Sequence, residues 1–86
     1  MDIRFTKHAK MRMAERGITE EDVRRAVEFP DKIGRSVISA PRFIVKKVYY
    51  NMALGKKHLL MVIYEEKSDE VLVVTIIDTS KIDKYY

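Results

Sequence analysis

The chain contains no cysteine, no glutamine, a single asparagine and only two histidines. The absence of cysteine excludes disulfide bonds, thiolate catalysis and cysteine-based zinc sites, and two histidines are a poor ligand set for a transition metal. No apolar run approaches the roughly 20 residues that a membrane helix needs, and no apolar signal segment follows residues 1–4. We therefore expect a cytoplasmic protein that uses no metal and no cofactor and does not contact a membrane.

The length and composition indicate one folded domain. Eighty-six residues suffice for a single core, so we assign residues 1–86 to one domain. Hydrophobic residues make up 47% of the chain and charged residues 35%, which is enough apolar surface for a globular fold. The lack of glutamine beside abundant lysine and isoleucine is typical of proteins from hyperthermophiles, so we expect a thermophilic source.

Positive charge is concentrated in the first two thirds of the chain. Residues 1–57 hold 14 Lys and Arg against 7 Asp and Glu, whereas residues 58–86 hold 3 against 6. Such a basic segment favours an anionic partner, most often a nucleic acid, although many basic proteins bind none.

Helix-ending residues predict two helices near the N-terminus. Thr6 suits an N-cap and Gly17 a left-handed C-terminal position, which predicts a first helix over residues 7–16. Thr19 and Asp22 form a capping box, and Pro30 ends the segment, which predicts a second helix over residues 20–28.

After Pro30 the pattern changes to β-branched residues separated by turns. It predicts four strands, over Ile33–Ser39, Arg42–Asn51, His58–Glu66 and Val71–Asp78. Short connections favour an antiparallel meander, and the last two strands are apolar on both faces. The predicted fold class is α+β, with two N-terminal helices packed on a four-stranded antiparallel sheet.

Three side chains on the first helix are candidates for chemistry. His8, Arg12 and Arg16 are spaced i, i+4, i+8 and form a stripe beside the apolar residues Ala9 and Met13. In a structural interpretation the arginines extend from the edge of the core towards acidic partners and His8 is a satisfied boundary residue. In a functional interpretation the stripe opens into a cleft between the first helix and the sheet. There the arginines bind phosphate and His8 transfers a proton, as cleavage of RNA by its own 2′-hydroxyl requires.

The run His8-Ala9-x-x-Arg12-Met13-x-x-Arg16-Gly17-Ile18-Thr19 resembles the N-terminal signature of a prokaryotic family of unknown-function domains grouped with RelE-like toxins. Later segments resemble the same pattern: Pro30-Asp31, Val62-Ile63-Tyr64, Val73-Val74-Thr75, and Lys81 with Tyr85. The resemblance implies a RelE-like fold of two helices on an antiparallel sheet. It also implies RNA as substrate and a cognate antitoxin as partner, which we expect to be acidic.

Carried over residue by residue, the resemblance assigns catalytic roles to His8, Arg12 and Arg16 and adds Thr75, the polar interruption of the last strand. An ordinary strand threonine bonded to backbone is the alternative for Thr75. Because RelE-like toxins often place basic strand residues in the cleft, Lys47 is a secondary candidate for binding RNA.

Further RNA-binding candidates follow from the lysines and tyrosines of the second predicted strand, which suit phosphates and bases. They are Lys46 and Tyr49, together with Lys81 in the tail. Lysines that protect an edge strand from aggregation are the alternative interpretation. His58 follows a Gly-Lys-Lys turn, is expected at the surface, and receives no role.

The sequence and the resemblance together predict a RelE-like toxin that acts as a metal-independent endoribonuclease and is neutralised by an antitoxin. The alternative is a non-catalytic domain that binds RNA or another protein, in which the basic stripe serves only as an electrostatic contact.

Overall fold

The computed structural model describes residues 2–36 and 42–86. Within these residues, five strands and three helices occur in the order β1 (Asp2–Phe5), α1 (Lys7–Arg16), α2 (Glu20–Glu28), β2 (Lys32–Ser36), β3 (Arg42–Asn51), β4 (Lys56–Lys67), β5 (Glu70–Thr79) and α3 (Ile82–Tyr85). The first strand predicted from the sequence, Ile33–Ser39, corresponds to β2, and its residues 37–39 lie outside the described residues.

The strands form one mixed sheet in the order β1-β5-β4-β3-β2. Neighbours from β2 to β5 are antiparallel, as expected from their short connections, but β1 pairs with β5 in parallel. The fold is α+β, but the predicted four-stranded antiparallel sheet with two helices is wrong, because β1 and α3 were missed.

The physical reason for the missed strand is its length. β1 has four residues, and only Ile3 and Phe5 alternate with the charged side chains of Asp2 and Arg4. A pattern so short does not distinguish a strand from the segment leading into a helix. Its hydrogen bonds come from β5, about 70 residues later in the chain, so a long-range pairing decides its conformation.

The two predicted helices are confirmed with their ends. The Thr6 side chain accepts a hydrogen bond from the Ala9 amide, and Gly17 adopts the left-handed conformation with φ 66°. In α2, Thr19 and Asp22 form the complete capping box. These helix ends depend on neighbouring residues only, which is why the sequence predicts them well.

Both helices pack on one face of the sheet. Ala9 and Met13 of α1 and Val23, Ala26 and Val27 of α2 are buried. On the sheet they meet a core that includes Val45, Leu60, Val62, Tyr64, Val71, Val73 and Ile76. α1 lies over β5 and β1, and α2 lies over β4 and β3. We call this side of the sheet the helix face.

The other side of the sheet, which we call the opposite face, carries α3. Lys46 alternates with the core residue Val45 and therefore points to the opposite face, where its Nζ donates to the Tyr85 carbonyl at 2.6 Å. Lys32 reaches the Tyr86 carbonyl at 2.8 Å and lies 4.1 Å from the centre of the Tyr86 ring. Among the helices of residues 2–36 and 42–86, none is long and apolar enough to cross a membrane.

Candidate functional site

The stripe on α1 was expected in a cleft between the helix and the sheet, but the structure places it on a solvent-facing surface at the border of the core. Ala9 and Met13 are buried, whereas His8 and Arg16 are exposed and Arg12 is half-buried. In the described part of the chain, none of these three side chains lies within 4.0 Å of a carboxylate. The structural interpretation, in which acidic partners neutralise the arginines, therefore lacks its ion pairs. We call His8, Arg12 and Arg16 the α1 cationic surface.

The arginines of α2 differ from those of α1. Arg24 pairs with Glu28 at 3.3 Å, and Arg25 pairs with Glu21 at 3.4 Å, both across one helical turn. These pairs satisfy the guanidinium groups locally, so α2 offers less free positive charge than α1. The two helices thus provide an internal comparison between paired and unpaired arginines.

Thr75 lies on the wrong side of the sheet to join the α1 cationic surface. It pairs with Ile63 in the register of β4 and β5, and its neighbour Ile76 belongs to the core under the helices. Because successive strand residues point to opposite faces, the Thr75 side chain points away from α1. The structure therefore does not bring Thr75 together with His8 and Arg12.

The predicted RNA-binding lysines are also separated. Lys47 lies on the helix face, where its Nζ donates to the Phe29 carbonyl at 2.8 Å and lies 3.5 Å from Asp31. Lys46 is on the opposite face with α3, and Lys81 is exposed just before that helix. These lysines thus lie on both faces of the sheet and in the segment after β5, and they do not form one platform.

Tyr49 belongs to a hydrogen-bonded network on the helix face. Its hydroxyl donates to Asp78 Oδ1 at 2.5 Å and accepts from Asn51 Nδ2 at 3.0 Å. Burial, together with the hydrogen bond to Asp78, raises the pKa of Tyr49 above its ordinary value. Such a phenol stays protonated, and its hydroxyl serves as a fixed donor to Asp78.

Beside Tyr49 lies a groove of about 300 Å³. It is lined by Asp22, Arg25, Lys47, Val48, Tyr49, Tyr50 and Met52. Asp22 contributes negative charge, and both cations of the groove are already paired with carboxylates, Arg25 with Glu21 and Lys47 with Asp31. This groove is therefore close to neutral and is a weaker phosphate site than the α1 cationic surface.

The network continues to His58 and contradicts the expectation that this residue is at the surface. His58 is 5% exposed, and its Nδ1 lies 2.9 Å from Asp78 Oδ2. Register explains the burial, because His58 is opposite Tyr49 and shares the helix face with Leu60. Its Nε2 is buried and has no hydrogen-bond partner among the described residues.

Asn51 links this network to α1. Its Nδ2 also donates to the Arg16 carbonyl at 3.1 Å, and its Oδ1 accepts from the Leu54 amide at 3.0 Å. Asn51 thereby satisfies one of the carbonyls left free at the end of α1 and holds the loop between β3 and β4. Through Asn51, the network holds the C-terminal end of α1 against β3.

A buried histidine and aspartate can resemble a catalytic pair, but His58 is closed to substrate. Asp78 receives one donor on each oxygen, from Tyr49 and His58, and is itself buried. We assign this network a positioning role. The sequence signal that could have found it is the single asparagine at a strand end, together with a polar residue, Asp78, ending an aliphatic strand.

Across residues 2–36 and 42–86, no group of three or more His, Asp or Glu side chains could hold a metal ion. The α1 cationic surface brings together three side chains that solvent reaches. Their chemistry is anion binding by two guanidinium groups and proton transfer by one imidazole.

Comparison with known proteins identifies the family. No curated protein matches the chain, and neither does any solved structure. One domain family does match, described as a domain of unknown function (DUF4258), and the match covers residues 5–78. That span runs from the end of β1 to the end of β5 and includes the α1 cationic surface and the buried network. The chain belongs to this family of unknown-function domains.

Proposed function

We propose that the domain binds RNA through the α1 cationic surface. The observation that carries this proposal is that His8, Arg12 and Arg16 share one side of a helix and have no carboxylate partner among the described residues. An unpaired guanidinium keeps its planar donor fork available and binds phosphate oxygens in a bidentate manner.

The geometry of the helix suits a chain of phosphates. Residues four apart are about 6 Å apart along the helix axis, so the imidazole and the two guanidinium groups can contact neighbouring phosphates of one strand. α1 also carries Lys7 and Lys10 against a single acidic residue, Glu15. The field around α1 is therefore positive, which attracts a polyanion and makes its binding sensitive to salt.

We further propose metal-independent cleavage of the bound RNA, as the resemblance to RelE-like toxins suggests. His8 accepts the proton of a 2′-hydroxyl while the 2′-oxygen forms a bond to phosphorus. Arg12 and Arg16 stabilise the negative charge of the phosphorane. The bond from phosphorus to the 5′-oxygen then breaks, and the same imidazolium returns a proton to this leaving group. The products are a 2′,3′-cyclic phosphate and a 5′-hydroxyl.

Exposure supports His8 over His58 in this step, because substrate can reach His8 from solvent. Thr75 and Lys47 are not part of the proposed mechanism, since Thr75 faces away from α1 and Lys47 is held by Phe29 and Asp31. A toxin of this kind needs an inhibitor, so the proposal includes an acidic antitoxin as partner.

The test is a salt titration of binding to labelled single-stranded RNA in the presence of chelator. Arg12→Gln and Arg16→Gln are each expected to reduce the slope of log K against log [salt] by about 0.7, the loss of one phosphate contact to a single strand. Arg24→Gln on α2 is the matched control, with the same change in charge and an ion-paired starting residue, and should leave the slope unchanged. Equal slopes for the Arg12→Gln, Arg16→Gln double variant and the unmodified chain would contradict the proposal.

Cleavage is read from the same reactions. Product with 2′,3′-cyclic phosphate ends that is absent with His8→Ala supports the endoribonuclease. Binding without any product supports the alternative, a non-catalytic RNA-binding domain that uses the same surface.

A further inference from the structure

The edge of the sheet farthest from α1 has the properties of a peptide-binding strand. β2 is the last strand in the sheet order, so within the described residues only β3 pairs with it. Its outer side therefore presents backbone amides and carbonyls that pair with no strand of residues 2–36 and 42–86. Ile33, the second residue of β2, is 60% exposed and offers an apolar contact beside the charged Lys32.

A groove of about 370 Å³ lies along β2. Its lining consists of Lys32, Ile33, Gly34, Arg35, Ile44 and Lys46. Three of these residues are cationic and none is acidic, in contrast to the nearly neutral groove beside Tyr49. A ligand of this groove is therefore expected to carry negative charge.

Packing within the chain does not explain the glycine in the middle of β2, Gly34. A β-carbon built at this position would meet no atom closer than the Ile44 carbonyl oxygen at 3.9 Å, so packing within the chain does not require glycine there. Glycine inside a strand often marks a place where another backbone approaches closely. At β2 this place lies between two cationic residues, Lys32 and Arg35.

We infer that the β2 edge binds an extended acidic segment of a partner protein, which adds a strand to the sheet. Main-chain hydrogen bonds supply affinity, and alternating side chains supply specificity, as in other cases of strand addition. Carboxylates of the segment face the cations of β2, and an apolar residue of the segment covers Ile33. The inference rests on the proposed function only in its expectation of an acidic partner.

Charge argues against a second copy of the chain as the occupant. Two β2 strands side by side would bring Lys32 and Arg35 of each copy together, and like charges across a strand pair are destabilising. The other edge, β1, is a poorer docking strand, because it has four residues and its Arg4 lies 3.9 Å from Glu70 of β5.

The position of β2 makes the inference separable from RNA binding. α1 lies over β5 and β1, at the other end of the sheet order from β2. RNA on α1 and a peptide on β2 are therefore expected to bind at the same time.

The experiment is selection from a random twelve-residue peptide library displayed on phage, with the full chain as bait. Enriched peptides are expected to carry acidic residues and an apolar residue that covers Ile33, and a synthetic representative should slow amide hydrogen exchange at residues 32–36. Arg35→Glu should weaken its affinity at least tenfold. Arg25→Glu on α2 is the matched control and should change the affinity less than twofold.

A second variant guards against misfolding of the first. Ile33→Asp places a negative charge at an exposed side chain of β2 and is expected to weaken the binding of the acidic peptide at least tenfold while the circular dichroism spectrum is unchanged. Enrichment of neutral or basic peptides, no enrichment at all, equal affinity for Arg35→Glu and the unmodified chain, or displacement of the peptide by single-stranded RNA would each overturn the inference. Loss of RNA binding or cleavage in the α1 variants does not bear on peptide binding at β2, so the two proposals can be refuted independently.

Discussion

The contact between the end of α1 and the loop before β4 gives a sharp test of the structure. Gly17 and Gly55 both adopt the left-handed conformation, with φ 66° and 69°. A β-carbon on Gly17 would lie 2.5 Å from the Ala53 β-carbon, whereas one on Gly55 would have its nearest neighbour, the Tyr50 hydroxyl, at 3.9 Å. The two glycines therefore share a conformational requirement and differ in steric surroundings.

The expected losses of stability follow from the backbone conformation and from the steric clash. A left-handed backbone costs an ordinary residue about 1 to 2 kcal/mol, so Gly55→Ala should lower the free energy of unfolding by about that amount. Gly17→Ala adds the clash with Ala53, for which overpacking of this kind costs about 1 to 3 kcal/mol. We expect a total loss of about 2 to 5 kcal/mol for Gly17→Ala, a large share of the stability of a small domain.

Ala53→Gly supplies the decisive comparison. Ala53 does not have a positive φ, so replacing it by glycine in the unmodified chain should cost about 0.5 to 1 kcal/mol through added flexibility of the unfolded chain. In the Gly17→Ala background the same change removes the clashing atom and should raise stability. The effect of Ala53→Gly thus reverses sign between the two backgrounds, which only a direct interaction produces.

The assay is urea denaturation of the four variants and the unmodified chain, with the free energy of unfolding taken at constant m-value. Equal losses for Gly17→Ala and Gly55→Ala, or an Ala53→Gly effect of the same sign in both backgrounds, would refute the close packing of α1 on the loop. The position of Arg16 at the end of α1 would then need a different explanation.

Three further outcomes are expected from the same denaturation assay. Asn51→Ala removes three hydrogen bonds at a buried site and should lower the free energy of unfolding by about 3 kcal/mol. Met52→Ala, at the neighbouring exposed residue, should lower it by less than about 0.5 kcal/mol, and equal losses for the two variants would contradict the network. The raised pKa of Tyr49 means that the folded chain holds a proton that the unfolded chain releases above pH 10, so stability is lost as pH rises. The difference in free energy of unfolding between the unmodified chain and Tyr49→Phe should therefore shrink by about 1 kcal/mol between pH 10 and 11. A difference that stays constant would show that Tyr49 does not contribute to the pH dependence of stability. Thr6→Ala removes both the cap of α1 and a 2.7 Å hydrogen bond to β5, and should cost about 2 kcal/mol; a loss below about 0.5 kcal/mol would show that neither bond matters.

Positions of helices were predictable because their signals are local. Thr6 and Gly17 delimit α1, and Thr19 with Asp22 starts α2, through hydrogen bonds that span at most five residues. The buried residues Val23, Ala26 and Val27 also follow from periodicity alone.

The candidate site was predictable only in part. The α1 cationic surface follows from spacing on one helix, and the prediction that His8, Arg12 and Arg16 share a side holds in the structure. Thr75 and the lysines of β3 could not be placed, because the side of a strand that faces the helices depends on register across the sheet. A bulge between β4 and β5, near Ile63, shifts the alternation further.

The sequence by itself determined the helix ends, the strand-rich second half and the excess of positive charge, because each depends on residue type or on neighbours along the chain. The tertiary structure alone decided that β1 pairs in parallel with β5, that His58 is buried against Asp78, and that Thr75 and Lys46 face away from α1. These features arise from contacts between residues far apart in the chain, and such contacts leave no periodic trace in the segments that make them.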